Sequence, residues 1–409
     1  MDTFDEAQKR KKLTWPVIAL MDFVTVIGFD DITYNFQNQG LAVVSDWILL
    51  LILFVVPYEL IVGQLGATFS DDGGGLSSWL RHTSGDKMGY ITAWCYWVVS
   101  LPYLVDVANS TVVSFAWLFK GHALSDKEMS NWAFALFTAI IFVIFIFFQH
   151  RFANSLQWLS IIGGGAMFIM TILFVIMTIV YLGEGRTIAT QPFHFKNFLP
   201  TFDIKFLMSL GLLIFAMNGA EFVAPYVTEM KDGPKNFPKA MMALAIMVMV
   251  SAILGTFAMA LMFDPKVVNN NLNEYISNGA YMAFQRLGEY YHVGGLFMYI
   301  YSWCNVIGQF STLVISIDAP LRMLLGSKEA KNFIPKKLLK INKHGAYING
   351  IWMVVILSGG LIAAQALLPD AQAVMAQLVK LNSTTMPMRY LWVFAAYIAL
   401  RKQQDRKST

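Results

Sequence analysis

Eight carboxylates stand inside long apolar stretches of this chain: Asp22, Asp30, Asp31, Glu59, Asp106, Glu221, Glu229 and Asp318. Only two basic residues, Lys380 and Arg389, share such surroundings. A charge among apolar residues is costly, so such groups face a cavity, pair with one another or carry protons. A surplus of carboxylates favours two kinds of chemistry: binding of a positively charged ligand, or proton uptake and release by the carboxylates themselves. Asp30 and Asp31 are adjacent, and two ionised carboxylates in one low-dielectric site repel unless a cation or a proton separates them. With Glu221 they are expected to meet the ammonium end of a substrate or a coupling proton, and Glu59 and Asp106 extend the proton-coupling candidates. Glu229 and Asp318 lie near the ends of their stretches, close to Lys231, Lys235 and Arg322, which suits ion pairing. Water activation for peptide hydrolysis fits poorly, because Asp30 and Asp31 adjoin on one segment and no HExxH motif occurs. Cys95 and Cys304 both sit in apolar runs and read as packing residues. The chain is expected to be no enzyme and to hold no cofactor and no metal.

The elements that must position these groups follow from composition. Of the 409 residues, 56% are hydrophobic and 14% charged, against about 25% charged in a soluble domain. That shortage excludes a disordered chain, a nucleic-acid binder and most soluble enzymes, and apolar runs of about 20 residues recur throughout. An all-α polytopic membrane protein is predicted, with ten spans at roughly 15–40, 42–66, 89–118, 131–149, 156–182, 205–230, 239–262, 293–322, 347–368 and 373–399. With a cytoplasmic N-terminus, 21 of the 30 basic residues fall on the inner side and seven on the outer. That excess predicts both termini in the cytoplasm, the tails being 1–14 and 400–409. The spans divide into two sets of five, 15–182 and 205–399, which enter the membrane in opposite senses, the arithmetic of an inverted repeat. Trp94-Cys95 and Trp303-Cys304 fall in equivalent slots of the two halves.

In each half the first span is interrupted. Thirteen residues from Trp15 to Ile27 precede Gly28-Phe29-Asp30-Asp31; that length of helix covers about 20 Å and puts the interruption near mid-membrane. In the sixth span Phe215 gives way to Ala216-Met217-Asn218-Gly219-Ala220-Glu221. Glycine and polar residues in an apolar helix lower the cost of unwinding and leave backbone groups free for a ligand. Gly28, Phe29, Asp30 and Asp31 from the first break are therefore the substrate-binding candidates, with Phe215, Ala216, Asn218, Gly219 and Glu221 from the second. Trp303 is added as an aromatic able to close over a substrate or cradle an ammonium.

The stretch from Phe215 to Glu221, followed by Glu229-Met230-Lys231-Asp232-Gly233-Pro234-Lys235-Asn236-Phe237-Pro238-Lys239, resembles the sixth helix and following loop of the amino acid–polyamine–organocation superfamily. Gly63-Gln64-Leu65-Gly66-Ala67 with Gly73-Gly74-Gly75-Leu76-Ser77-Ser78-Trp79 is similar to the loop after its second helix, and Phe333-Ile334-Pro335-Lys336 to that between its eighth and ninth. Within the superfamily the chain looks most like the glutamate:GABA antiporter-like branch. The resemblance implies a LeuT-type 5+5 inverted repeat, alternating access, and exchange of amino acids or amines, with counter-substrate or protons as coupling partners. It also implies a bacterial plasma-membrane location. Two features depart from the family. Two further helices usually follow the tenth, whereas this chain ends at Thr409, as a shortened gene or a truncated chain would. Asp30-Asp31 stands where small neutral residues are usual. The aspartates shift the expected substrate toward basic amino acids, agmatine or diamines. The alternative is a glutamate/GABA or neutral amino acid exchanger that uses the intramembrane carboxylates for protons.

Overall fold

A backbone crossing hydrocarbon must satisfy its own N–H and C=O groups, and the computed structural model does so almost wholly as helix. The structure describes residues 13–124, 128–151, 156–202, 204–217, 219–268, 272–326, 330–342, 346–368 and 371–408. Among them seven segments are long and apolar enough to cross a membrane, and the shorter Trp15–Val26 and Asn131–Phe147 are apolar as well.

The first span is two helices, Trp15–Val26 and Phe29–Gln39, and the second is Ala42–Thr68. The second carries a π turn at Leu51–Val55, just before Pro57, whose missing N–H disturbs the hydrogen-bond ladder there. The third, fourth and fifth spans are Asp86–Lys120, Asn131–Arg151 and Leu156–Gly183. The sixth runs as an α-helix over Ile204–Phe215 and, after an interruption, as a 3₁₀ helix over Ala220–Glu229. The seventh, eighth and ninth are Gly233–Met262, Leu296–Leu325 and Ile348–Gln365. The tenth span differs from the single segment expected: it is Ala371–Thr385 and Met388–Ser408, divided at Pro387. Its second helix carries on through the residues read as a C-terminal tail. Of the helices in the connections, which lacked a spanning pattern, Leu76–Ser84 and Leu272–Tyr290 are the longest among the described residues.

The second span packs on the seventh, the third on the eighth and the fourth on the ninth. Each of these helices meets its own counterpart from the other half, as a two-fold axis between inverted repeats requires. The chain therefore has the five-plus-five architecture, with its first and sixth spans broken.

Close approach at the first span depends on glycine. A Cβ on Gly164 of the fifth span would lie 2.3 Å from the Leu20 carbonyl oxygen, whereas one on Gly165 would meet nothing within 4 Å. Gly164→Ala is expected to cost about 1–3 kcal/mol through overpacking, and Gly165→Ala to be neutral. Thermal unfolding of the purified variants in detergent checks the contrast.

Candidate functional site

The break in the first span opens a cavity of about 100 Å³, bounded by the first, third, eighth and tenth spans, Met167 of the fifth, Phe215 of the sixth and Ile276 of the 272–290 helix. Ile27 and Gly28 are extended, so the helical ladder is interrupted. The carbonyls this frees find side-chain donors: Thr312 Oγ1 donates to Val24 O at 2.8 Å, and Tyr103 Oη to Thr25 O at 3.1 Å. The Gly28 N–H donates to Asp31 Oδ2 at 2.9 Å, so Asp31 caps the helix that starts at Phe29.

Asp30, Asp31 and Asp106 all line this cavity, and among the described residues no Lys, Arg or His does. Asp106 accepts a hydrogen bond from Asn382 Nδ2 at 3.1 Å. The third span presents Tyr103, Asp106, Val107 and Ser110, and the eighth presents Asn305, Gly308, Gln309 and Thr312. Both sets follow the three-and-four spacing of one helical face. That spacing was the available sequence signal for Tyr103, Asn305 and Gln309, and the sequence reading missed it. The 272–290 helix is held against this end of the molecule. Asn305 Nδ2 donates to Tyr281 Oη at 2.6 Å, and Trp117 Nε1 to Asn278 Oδ1 at 2.7 Å.

Of the remaining described site candidates, all but Phe215 lie elsewhere. Phe29 is buried in an aromatic cluster, with ring centroids 4.8 Å from Phe174 and 5.1 Å from Phe284, and does not line the cavity. Trp303 is 57% exposed on the outer surface. The inward face of its helix runs through positions 305, 308, 309 and 312, which turns residue 303 away from the cavity. Phe215 lines the cavity, whereas Ala216 and Gly219 do not. Asn218 lies outside the described residues.

Glu221 belongs to a second, fully buried polar group. Tyr58 Oη donates to its Oε2 at 2.8 Å and Tyr96 Oη to its Oε1 at 3.1 Å. Arg389 Nη2 stands 3.7 Å from Oε1. The guanidinium lies over the Tyr96 ring, 4.4 Å from its centroid, and Arg389 Nε donates to Met386 O at 3.2 Å. The sequence reading treated Arg389 only as a charge within the last span. An arginine two residues after a proline in an apolar run was its one signal.

At the opposite end of the sixth and eighth spans, Arg322 Nη1 donates to Glu229 Oε1 at 2.5 Å and Nε to Asp318 Oδ2 at 2.6 Å. Tyr226 Oη also donates to Asp318 Oδ2, at 2.8 Å. The Leu13 N–H donates to Glu229 O at 2.8 Å, and the Lys231 N–H to Leu13 O at 3.0 Å. These bonds tie the starts of the first and seventh spans to the ends of the sixth and eighth.

Comparison with known proteins places this arrangement in a group. The family described as amino acid permease matches residues 11–409. Over 400 residues the chain is 38% identical to the aspartate/glutamate permease AcaP of Lactococcus lactis subsp. cremoris, covering 96% of this chain and 80% of that protein. It is 23% identical over 365 residues to the probable agmatine/putrescine antiporter AguD of Lactococcus lactis subsp. lactis, covering 87% and 72%. Among solved structures, MhsT in complex with L-phenylalanine superposes with a TM-score of 0.59, covering 94% of this chain and 89% of that one at 12% identity, a likeness of fold alone.

Proposed function

The chain belongs to the amino acid permease family of membrane transporters, and we propose that its cavity carries, by alternating access, a substrate recognised through a cationic amino group. One observation carries this reading: Asp30, Asp31 and Asp106 share a cavity that, among the described residues, no basic side chain lines. An ammonium entering there replaces mutual carboxylate repulsion with attraction, so basic amino acids, agmatine and diamines suit it. The 21-to-7 distribution of basic residues supports both termini inside, and the bacterial relatives support a bacterial cytoplasmic-membrane location. In that orientation the Arg322 network lies on the cytoplasmic side.

A second reading is favoured by the 38% identity to AcaP, a relative named for aspartate and glutamate. For an acidic substrate the cavity carboxylates must carry protons, one of them keeping its charge for the substrate's α-ammonium. Counterflow in proteoliposomes separates the two readings. Vesicles preloaded with lysine, ornithine, agmatine or putrescine are expected to accumulate the labelled compound. Exchange confined to aspartate and glutamate selects the acidic reading, and no exchange with any of the six overturns both.

A further inference from the structure

Beside the cavity, the buried group around Glu221 includes two carboxylates with no hydrogen-bond partner. Asp22 is 0% exposed and Glu59 1%, and none of their four oxygens is hydrogen-bonded. The nearest hydroxyl to Asp22 in sequence, that of Thr25, donates to the Asp22 backbone carbonyl at 2.8 Å. Asp22 and Glu59 lie within electrostatic reach of one another and of Glu221. Among the described residues the only cation at this group is Arg389, 2% exposed, whose Nη1 and Nη2 also lack a hydrogen-bonded acceptor.

Charge balance decides which carboxylate is ionised. Three ionised acids against one guanidinium would leave a net charge of about −2 in a water-excluded core, which protein interiors do not tolerate. Glu221 receives both tyrosine hydroxyls and faces the guanidinium, the surroundings of a carboxylate anion. Asp22, with only the Thr25 hydroxyl beside it, and Glu59, with no hydrogen-bond donor, face neither a guanidinium nor a tyrosine hydroxyl at hydrogen-bond distance. We propose that Asp22 and Glu59 are a proton store separate from the substrate cavity: both are neutral acids in this conformation, with Glu221 ionised against Arg389, and loss and regain of their protons accompanies turnover. On release the carboxyl O–H bond breaks, the proton passes to water admitted when the bundle opens, and the carboxylate remains behind; the reverse step restores the acid.

The groups facing the pair are consistent with this. Glu221 acts on Asp22 from the sixth span, and both act on Glu59. Tyr58, Tyr96 and Tyr390 of the second, third and tenth spans complete the surroundings, with Arg389 the one positive charge there among the described residues.

Infrared difference spectroscopy of the purified protein on raising the pH tests the protonation directly. Neutral carboxylic acids give carbonyl bands that carboxylates lack, and Asp22→Asn and Glu59→Gln should each remove one. If either variant folds poorly, Asp22→Glu and Glu59→Asp keep an acid in place and should shift the band. Bands unchanged in all four variants, or a band lost only in Glu221→Gln, overturn the proposal. In proteoliposomes Asp22→Asn and Glu59→Gln should abolish accumulation driven by a pH gradient yet retain counterflow at equal pH. Loss of both modes together, or of neither, marks a structural role and overturns the coupling. The flux arm rests on the carrier reading above, whereas the infrared arm needs no substrate and holds if that reading fails.

Discussion

Asp30→Asn and Asp31→Asn are each expected to abolish uptake of the cationic substrate proposed for this cavity. Both residues are half-buried at the lip of the broken first span, on a cavity that, among the described residues, offers no positive charge of its own. Removing one partner of a desolvated charge pair costs about 2–5 kcal/mol, upward of ~30-fold in affinity. Asn at 31 still offers an oxygen to the Gly28 N–H, so Asp31→Asn isolates the charge, whereas Asp31→Ala also removes the cap worth about 1 kcal/mol. Uptake and binding assays with agmatine or lysine check the result, with circular dichroism confirming the fold. Undiminished uptake by both Asn variants would sink the cationic reading. If the carboxylates carry protons for an acidic substrate, Asn mimics the neutral acid, and aspartate binding survives.

A second large effect is expected on stability. Arg389→Met leaves Glu221 at 0% exposure with two tyrosine hydroxyls and no counter-charge. Breaking a buried pair from one side costs about 3–5 kcal/mol, because the surviving charge is stranded. Lys380 lies in the same span but is exposed, so Lys380→Met should change stability by less than about 0.5 kcal/mol. Adding Glu221→Gln to Arg389→Met should recover most of the loss. Monodispersity on size-exclusion chromatography and thermal unfolding in detergent provide the measurement. An Arg389→Met protein as stable as Lys380→Met would show that the pair contributes nothing.

Much of the architecture was legible without coordinates. Runs of apolar residues long enough to cross hydrocarbon locate the spans, and Gly28 and Gly219 within such runs mark where the helices break. The division of the tenth span was signalled by Pro387 and overlooked, because the surrounding run is apolar on both sides. The helix at 272–290 escaped because it is amphipathic rather than uniformly apolar. It is stabilised by contacts such as Asn278 with Trp117, 161 positions earlier in the chain, that no local pattern contains.

The site divides in the same way. That acidic side chains occupy the membrane interior, and that two stand at a helix break, is a one-dimensional fact, since residue type and depth follow from sequence and the solvent each segment prefers. Which acids share a chamber depends on the rotation of each helix about its axis and on which helices abut. Asp106 joins Asp30 and Asp31 because the third span turns positions 103, 106, 107 and 110 toward the break. Glu221 leaves them because the 3₁₀ half of the sixth span aims it at Tyr58, Tyr96 and Arg389. Sequence alone determined a ten-span, twice-broken carrier with an acidic interior. Only the tertiary structure separated that interior into a chamber of three aspartates and a sealed Asp22–Glu59–Glu221–Arg389 core, because helix rotation and packing are set by contacts between residues far apart in the chain.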